Sequence, residues 1–167
     1  MEIIKKKAIY LPEFKQISRT QIINGAQLKL LYPADDYMDN NKRKWSNLNN
    51  NSLVIKVKFG SKSFLFPGDI MAKAEKELVA ISGDDLKSNV LIAPHHGSKT
   101  SNSEFFIDSI DPEVVIFSSG WRNRYRFPHT SVLKKYKERG CRILRTDSHG
   151  AVTISTDGQS LEVSPMI

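Results

Sequence analysis

The stretch Leu91-Ile92-Ala93-Pro94-His95-His96-Gly97-Ser98-Lys99-Thr100 places two of the four histidines of this 167-residue chain side by side. An apolar run precedes them and a small-residue loop follows, so both imidazoles stand at the mouth of an expected strand. Asp69 ends a second such run, Phe64-Leu65-Phe66-Pro67-Gly68, and Asp147 follows a third at Arg142 to Thr146. In α/β sheets the carboxyl ends of strands gather ligands, which makes Asp69, His95 and His96 expected neighbours in space. A carboxylate and neutral imidazoles suit a borderline cation such as zinc or manganese, and a carboxylate can bridge two metals. Each group also has an ordinary alternative: an aspartate before a helical pattern can be an N-cap, and a loop histidine can simply pack. Adjacent residues of an extended loop point apart. One histidine can therefore ligate while the other meets substrate or supports its neighbour.

A second candidate surface is Gly120-Trp121-Arg122-Asn123-Arg124-Tyr125-Arg126-Phe127-Pro128-His129. Arginine forks suit phosphates and aromatic faces suit bases, the combination of a single-strand nucleic-acid contact. The alternative is a solvated loop pinned by Trp121 and Phe127. Lys134, Lys135, Lys137 and Arg139 read as the wet face of a helix.

These groups must be held by secondary structure, and the periodicity supplies it. Strands are expected at 28–32, 52–58, 62–66, 89–93, 113–118 and 141–145, with a hairpin joining the second and third and another at 151–155 and 161–163. Helices are expected at 70–80, from a Ser101-Asn102-Ser103-Glu104 capping box to Ile110, and from a Thr130 cap to Gly140. The polar stretch 34–51 reads as a loop. Alternating units favour parallel strands and hairpins require antiparallel ones, so the class is α/β with a mixed sheet.

Composition narrows the setting. A 40% hydrophobic, 26% charged chain can bury a core and is not of the disordered class. The single Cys141 excludes an internal disulfide and a thiol zinc cluster and fits a reducing compartment. No apolar run reaches the roughly 18 residues of a membrane span, and the start lacks a signal-peptide core. A cytoplasmic chain is expected, with a membrane-anchored parent as the alternative. The formal charge of +7 permits a polyanionic partner, nucleic acid above all.

Taken in order, Asn51-Ser52-Leu53-Val54, Phe66-Pro67-Gly68-Asp69-Ile70, Pro94-His95-His96-Gly97-Ser98-Lys99-Thr100-Ser101, Asn123-Arg124-Tyr125-Arg126-Phe127-Pro128-His129, Thr146-Asp147 and Gly150-Ala151-Val152 carry a family likeness. The chain resembles the C-terminal metallo-β-lactamase-like domain of the ComEC/Rec2 competence proteins from about Leu28 to Gly158. The resemblance implies an αββα fold and a metal-dependent hydrolase, in competence proteins a nuclease acting on the strand that is not imported. It implies Asp69 as a metal-bridging carboxylate and His95 or His96 as a late metal ligand, with Asp69 and His96 catalytic. It also puts Ser98, Asn123 and His129, with Arg124 beside them, around the substrate phosphate.

The chain departs from the family in one respect. The family's HxHxDH or HxDxDH segment lies before the region matching Leu28, and no histidine here precedes His95. The expectation is therefore a single domain over 1–167 corresponding to the second half of the fold, with a partial zinc or manganese site. An apolar sheet face is expected to need a complementary N-terminal half or a second copy of the chain, and the isolated chain to turn over little or nothing. The alternatives are a non-catalytic nucleic-acid- or partner-binding remnant, and a hydrolase of small phosphoesters or lactam-like rings.

Overall fold

Apolar residues alternate along the strands and recur at helical spacing between them, and the chain folds into layers accordingly. The computed structural model describes residues 18–34 and 47–167. Within them run β1 (Thr20–Ile23), β2 (Ala26–Tyr32), β3 (Val54–Phe59), β4 (Lys62–Phe66), α1 (Ala72–Ser82) and β5 (Val90–Ile92). There follow α2 (Glu104–Ile110), β6 (Val114–Phe117), α3 (Thr130–Glu138), β7 (Arg142–Arg145), the short α4 (Thr146–His149), β8 (Val152–Thr156) and β9 (Leu161–Pro165).

β1 to β7 form one sheet in chain order, antiparallel from β1 to β4 and parallel from β4 to β7. Two-residue turns make β1–β2 and β3–β4 antiparallel and helical crossovers return the chain parallel from β4 onward, whereas β2 and β3 pair antiparallel across the long segment between Tyr32 and Val54. The expected α/β class with a mixed sheet is what the chain adopts, and its layering is consistent with one αβ half of an αββα arrangement. β1 escaped the sequence reading because all four of its residues are exposed and carry no alternation. Its signal lay in the turn: Asn24 and Gly25 have φ of 49° and 84°, the pairing that an Asn-Gly hairpin turn requires.

Period-two alternation splits the strand residues between two apolar layers. Leu65, Leu91, Val115 and Phe117 pack with Ala74 and Leu78 of α1, Phe106, Ile107 and Ile110 of α2, and Val132 and Tyr136 of α3. Val90, Val114, Ile116 and Leu144 face the other way, onto Val152, Ile154, Leu161 and Val163 of the β8–β9 hairpin. The expectation of an uncovered sheet face thus holds for only part of the sheet. The closing hairpin covers the parallel strands, while half-exposed Leu28, Leu30, Ile55 and Val57 and exposed Phe66 continue the same face across β2 to β4.

Three helix starts differ from expectation, the first two because a distant group claims the backbone or side chain involved. α1 begins at Ala72 because the Asp69 N–H donates to Ser52 Oγ (3.2 Å), the Met71 N–H to Asn50 Oδ1 (2.8 Å), and the Ile70 carbonyl accepts from Ser101 Oγ (2.7 Å). The capping box at Ser101 does not form. Ser103 is the N-cap residue of α2 without a side-chain cap of its own, and its hydroxyl donates to Glu75 of α1. α3 is preceded by His129 as its N-cap residue, with Thr130 already the first helical residue. Most of the expected 34–51 loop lies outside the described residues, and its end, Leu48–Asn51, is a 3-10 turn.

Candidate metal centre

Pro94 ends β5 and throws the chain into a tight turn, Pro94–Gly97. His95 and His96 both adopt left-handed backbone angles there, φ/ψ 47°/42° and 55°/20°. Such angles cost a non-glycine residue about 1–2 kcal/mol each and persist only where surroundings enforce them. The surroundings are close. The His95 N–H donates to the Gly68 carbonyl (3.1 Å), and Asn102 Nδ2 holds the Pro94 and Ser98 carbonyls (3.1 and 3.3 Å). Gly97, at φ 84°, leaves no room for a Cβ, which would stand 2.5 Å from Pro128 Cβ and 2.8 Å from Phe117 Cδ1.

The turn sends the two rings to different partners. His96 Nδ1 lies 2.7 Å from the Ser118 carbonyl. A carbonyl only accepts, so Nδ1 carries a proton, and Nε2 faces Asp69 Oδ1 at 3.6 Å. Fixing one ring nitrogen on a backbone carbonyl leaves the other oriented toward Asp69, a support that metal-ligating histidines commonly use. His95 instead has Nε2 3.4 Å from Asn49 Nδ2 and Nδ1 3.4 Å from Thr100 Oγ1, with its ring edge against Phe127 at 5.8 Å. The side chains of His96 and Asp69 remain 49% and 41% exposed, open to a ligand.

Asp69 is set by the Pro67-Gly68-Asp69 turn. Gly68 has φ 59°, and a Cβ there would meet Ser52 Cβ at 2.8 Å. Ser52 in turn donates to the Asn49 carbonyl (2.8 Å) while accepting the Asp69 N–H. With helix α1 starting only at Ala72, the N-cap alternative for Asp69 falls away. Asn49, Asn50 and Ser52 are positioning residues whose roles the sequence reading did not assign, the first two lying in the expected loop and Ser52 at the start of the expected strand. Their signal was the polar run Asn47 to Ser52 directly ahead of an apolar strand.

Beneath the turn lies a buried polar network. Glu75 of α1 accepts from the backbone N–H groups of Asn102 (2.6 Å) and Ser103 (3.0 Å) and from the Ser103 hydroxyl. Tyr136 of α3 donates to Asn102 Oδ1 (2.8 Å), and Lys135 Nζ reaches the Asn102 carbonyl (3.0 Å). Burial pushes the Glu75 carboxyl above its usual range against the pull of these hydrogen bonds, and burial likewise pushes the Tyr136 phenol well up. Nothing in the sequence flagged Glu75, which sits in a helix among other charged residues. Its role comes from its burial.

The other expected substrate residues have partners of their own. Ser98 is buried, with Oγ 2.9 Å from Thr100 Oγ1. Asn123 staples its own loop: Nδ2 donates to the Gly120 and Phe127 carbonyls (3.0 and 2.7 Å), and Oδ1 accepts the Phe127 N–H (2.9 Å). Arg124 lies over Tyr125, its guanidinium 4.7 Å from the ring centre. The His129 ring stands edge-on to Phe127 at 5.3 Å. Asp147 is held in a fork by Arg145 (2.6 and 3.0 Å) and accepts from Ser119 Oγ (3.2 Å). The Arg145 hydrogen bonds hold its carboxyl below the usual aspartate range.

The structure therefore brings Asp69 and His96 face to face, sets His95 beside them on other partners, and leaves Asn123, Arg124 and His129 on the adjoining loop. Among the described residues no cluster of three potential metal ligands forms. The two donors fit part of a metal's coordination shell. The chain is 37% identical over 77% of its length to competence protein ComA of Neisseria gonorrhoeae, and 38% identical over 62% to ComE operon protein 3 of Bacillus subtilis. It is 37% identical over 69% to recombination protein 2 of Haemophilus influenzae. The chain belongs to the ComEC/Rec2 family of competence proteins. It spans only 13–18% of the length of these ComEC/Rec2 relatives. No family model matches it. No helix among the described residues is long and apolar enough to cross a membrane.

Proposed function

We propose that this chain is the phosphodiester-facing half of a ComEC/Rec2-type, metal-dependent hydrolase that acts on DNA. The observation that carries the reading is the pairing of His96 Nε2 with Asp69 Oδ1 at 3.6 Å, the imidazole proton already committed to the Ser118 carbonyl. A divalent cation, zinc or manganese, held by Asp69 and His96 would supply Lewis-acid charge beside a phosphodiester and lower the pKa of a water bound to it. The chain's own contribution is positional. The Ser118 carbonyl fixes the His96 tautomer, Ser52 fixes Asp69, and His95 sits where Asn49 and Thr100 hold it at the edge of the same opening. The relatives' names refer to competence and recombination, which supports taking DNA as the substrate class of this proposal.

The remaining metal ligands would come from a complementary half, on a longer polypeptide or another chain. The apolar strip of Leu28, Leu30, Ile55, Val57 and Phe66 is where such a half would seat. The isolated chain is accordingly expected to bind metal weakly and to hydrolyse DNA slowly or not at all. The test is metal stoichiometry by mass spectrometry after equilibration with manganese or zinc, wild type beside Asp69→Ala. Uptake near one ion per chain, lost in the variant, supports the reading. Its absence from both favours a second one that the two-donor site also allows, a nucleic-acid- or partner-binding module without catalysis.

A further inference from the structure

Beside the candidate metal centre lies a cavity of about 410 Å³ whose lining includes His96, Ser118, Ser119, Tyr125, Phe127 and Thr146. Its size is at the small end for ligand pockets, enough for one planar group and not for a duplex. Most of the polar groups of its wall are spent on one another. The Ser118 carbonyl accepts from His96 (2.7 Å), the Ser119 carbonyl from Thr146 Oγ1 (2.8 Å), and that hydroxyl accepts the Ser119 N–H (2.8 Å). The Ser119 hydroxyl goes to Asp147, and the Asn123 amide, also in the wall, is consumed by its own loop. What remains for a ligand is aromatic surface. Tyr125 and Phe127 stack at 5.4 Å with their planes 20° apart. Arg124 covers the other face of Tyr125 at the rim, where an entering base would take the place of the guanidinium, and Arg122 lies over the 71% exposed Trp121 at 4.2 Å.

We infer that this cavity is a nucleobase subsite, which takes one unstacked base by stacking and does not read its identity. The inference rests on the phosphodiester reading of the adjoining site and names where the substrate's base goes. His96 joins the two, its Nε2 facing Asp69 while its ring lines the cavity, so a base in the cavity belongs to a nucleotide next to the phosphodiester. With most wall groups satisfied, few remain to read a base by hydrogen bonds, and stacking on an aromatic face is tolerant of sequence. A base must leave a duplex to enter, so single strands bind better than double strands. The rim arginines suit the phosphates on either side.

The experiment is a binding titration of the protein with short single-stranded DNA carrying 2-aminopurine at one position, against the same strand abasic there. Chelator is present throughout, so the result does not depend on metal. Wild type should change the 2-aminopurine fluorescence and bind the base-bearing strand about tenfold more tightly than the abasic one. Tyr125→Ala should erase that preference and Tyr125→Phe should keep it. Tyr125 is 56% exposed, so neither change disturbs the core, and circular dichroism checks the fold. Equal affinity for the two strands, no fluorescence change, or an undiminished preference in Tyr125→Ala would overturn the subsite. Failure of the hydrolase reading shows separately, as absence of metal uptake.

Discussion

Two loops leave neighbouring parallel strands at the same end of the sheet, residues 93–103 after β5 and 118–129 after β6, and they are held in opposite ways. Both contain non-glycine residues in left-handed angles, His95, His96 and Asn102 in the first, Arg122 and Arg126 in the second. The first loop is tied into the core by Glu75, Tyr136 and the Gly97 contact with Phe117. The second is tied chiefly to itself, through Asn123, and keeps Trp121 and Tyr125 exposed. The difference assigns the work: a loop over-determined by buried bonds can hold a metal ligand in a strained conformation, whereas a self-stapled loop can offer aromatic and cationic surface at little cost to the fold.

The comparison breaks most visibly at Gly97. Gly97→Ala places a methyl group against Pro128 and Phe117 in a left-handed conformation, and should cost about 3 kcal/mol, roughly 10 °C of Tm in a chain of this size. Thermal unfolding followed by circular dichroism reads it, and a loss below about 1 kcal/mol would mean that the first loop is not rigidly set.

Next comes Glu75. Glu75→Ala strands the buried N–H groups of Asn102 and Ser103 and should destabilise by about 2–3 kcal/mol in urea unfolding. Because burial raises the folded carboxyl's pKa, the native state binds the proton more tightly than the unfolded one. The stability from that proton is complete below the ordinary glutamate value of 4.5 and declines as pH rises through the folded value. Urea midpoints measured from pH 4 upward should show that decline in wild type and a flatter profile in Glu75→Gln.

The third test sharpens the division between the adjacent histidines. His96→Ala should weaken manganese or zinc binding at least about tenfold, while His95→Ala, whose ring faces Asn49 and Thr100, should change it less than about threefold. Isothermal titration distinguishes them, and equal losses would make both rings ligands. Smallest is Asn123→Ala, expected to cost about 1 kcal/mol of stability because the staple it removes is partly wet. It should nonetheless weaken single-stranded DNA binding several-fold by loosening the loop that carries Tyr125. Unchanged binding would show that the second loop needs no staple.

Much of this was legible beforehand. Val114 to Phe117, all buried, read as an interior strand from four consecutive apolar residues, and the helix expected from Thr130 to Gly140 is α3, Thr130–Glu138. The Asp69 and His95-His96 positions were legible as strand-end polar groups. The tasks of Asn49, Ser52, Glu75 and Asn123 were not, because each depends on a backbone group that the alphabet does not display. Ser101-Asn102-Ser103-Glu104 shows the limit: its letters spell a capping box, but Ser101 is drawn to Ile70 and Ser103 to Glu75.

By itself the sequence determined what short-range physics controls: strand and helix types from apolar period, the antiparallel hairpins and parallel helical crossovers from their connections, and a carboxylate and two imidazoles at strand ends. Tertiary structure alone decided which imidazole faces Asp69, which loop is rigid, and how far the β8–β9 hairpin covers the sheet. Those outcomes depend on contacts between residues tens of positions apart, such as His96 with Ser118 and Glu75 with Asn102. Periodicity constrains which face a residue takes, but only packing fixes the partner it meets there.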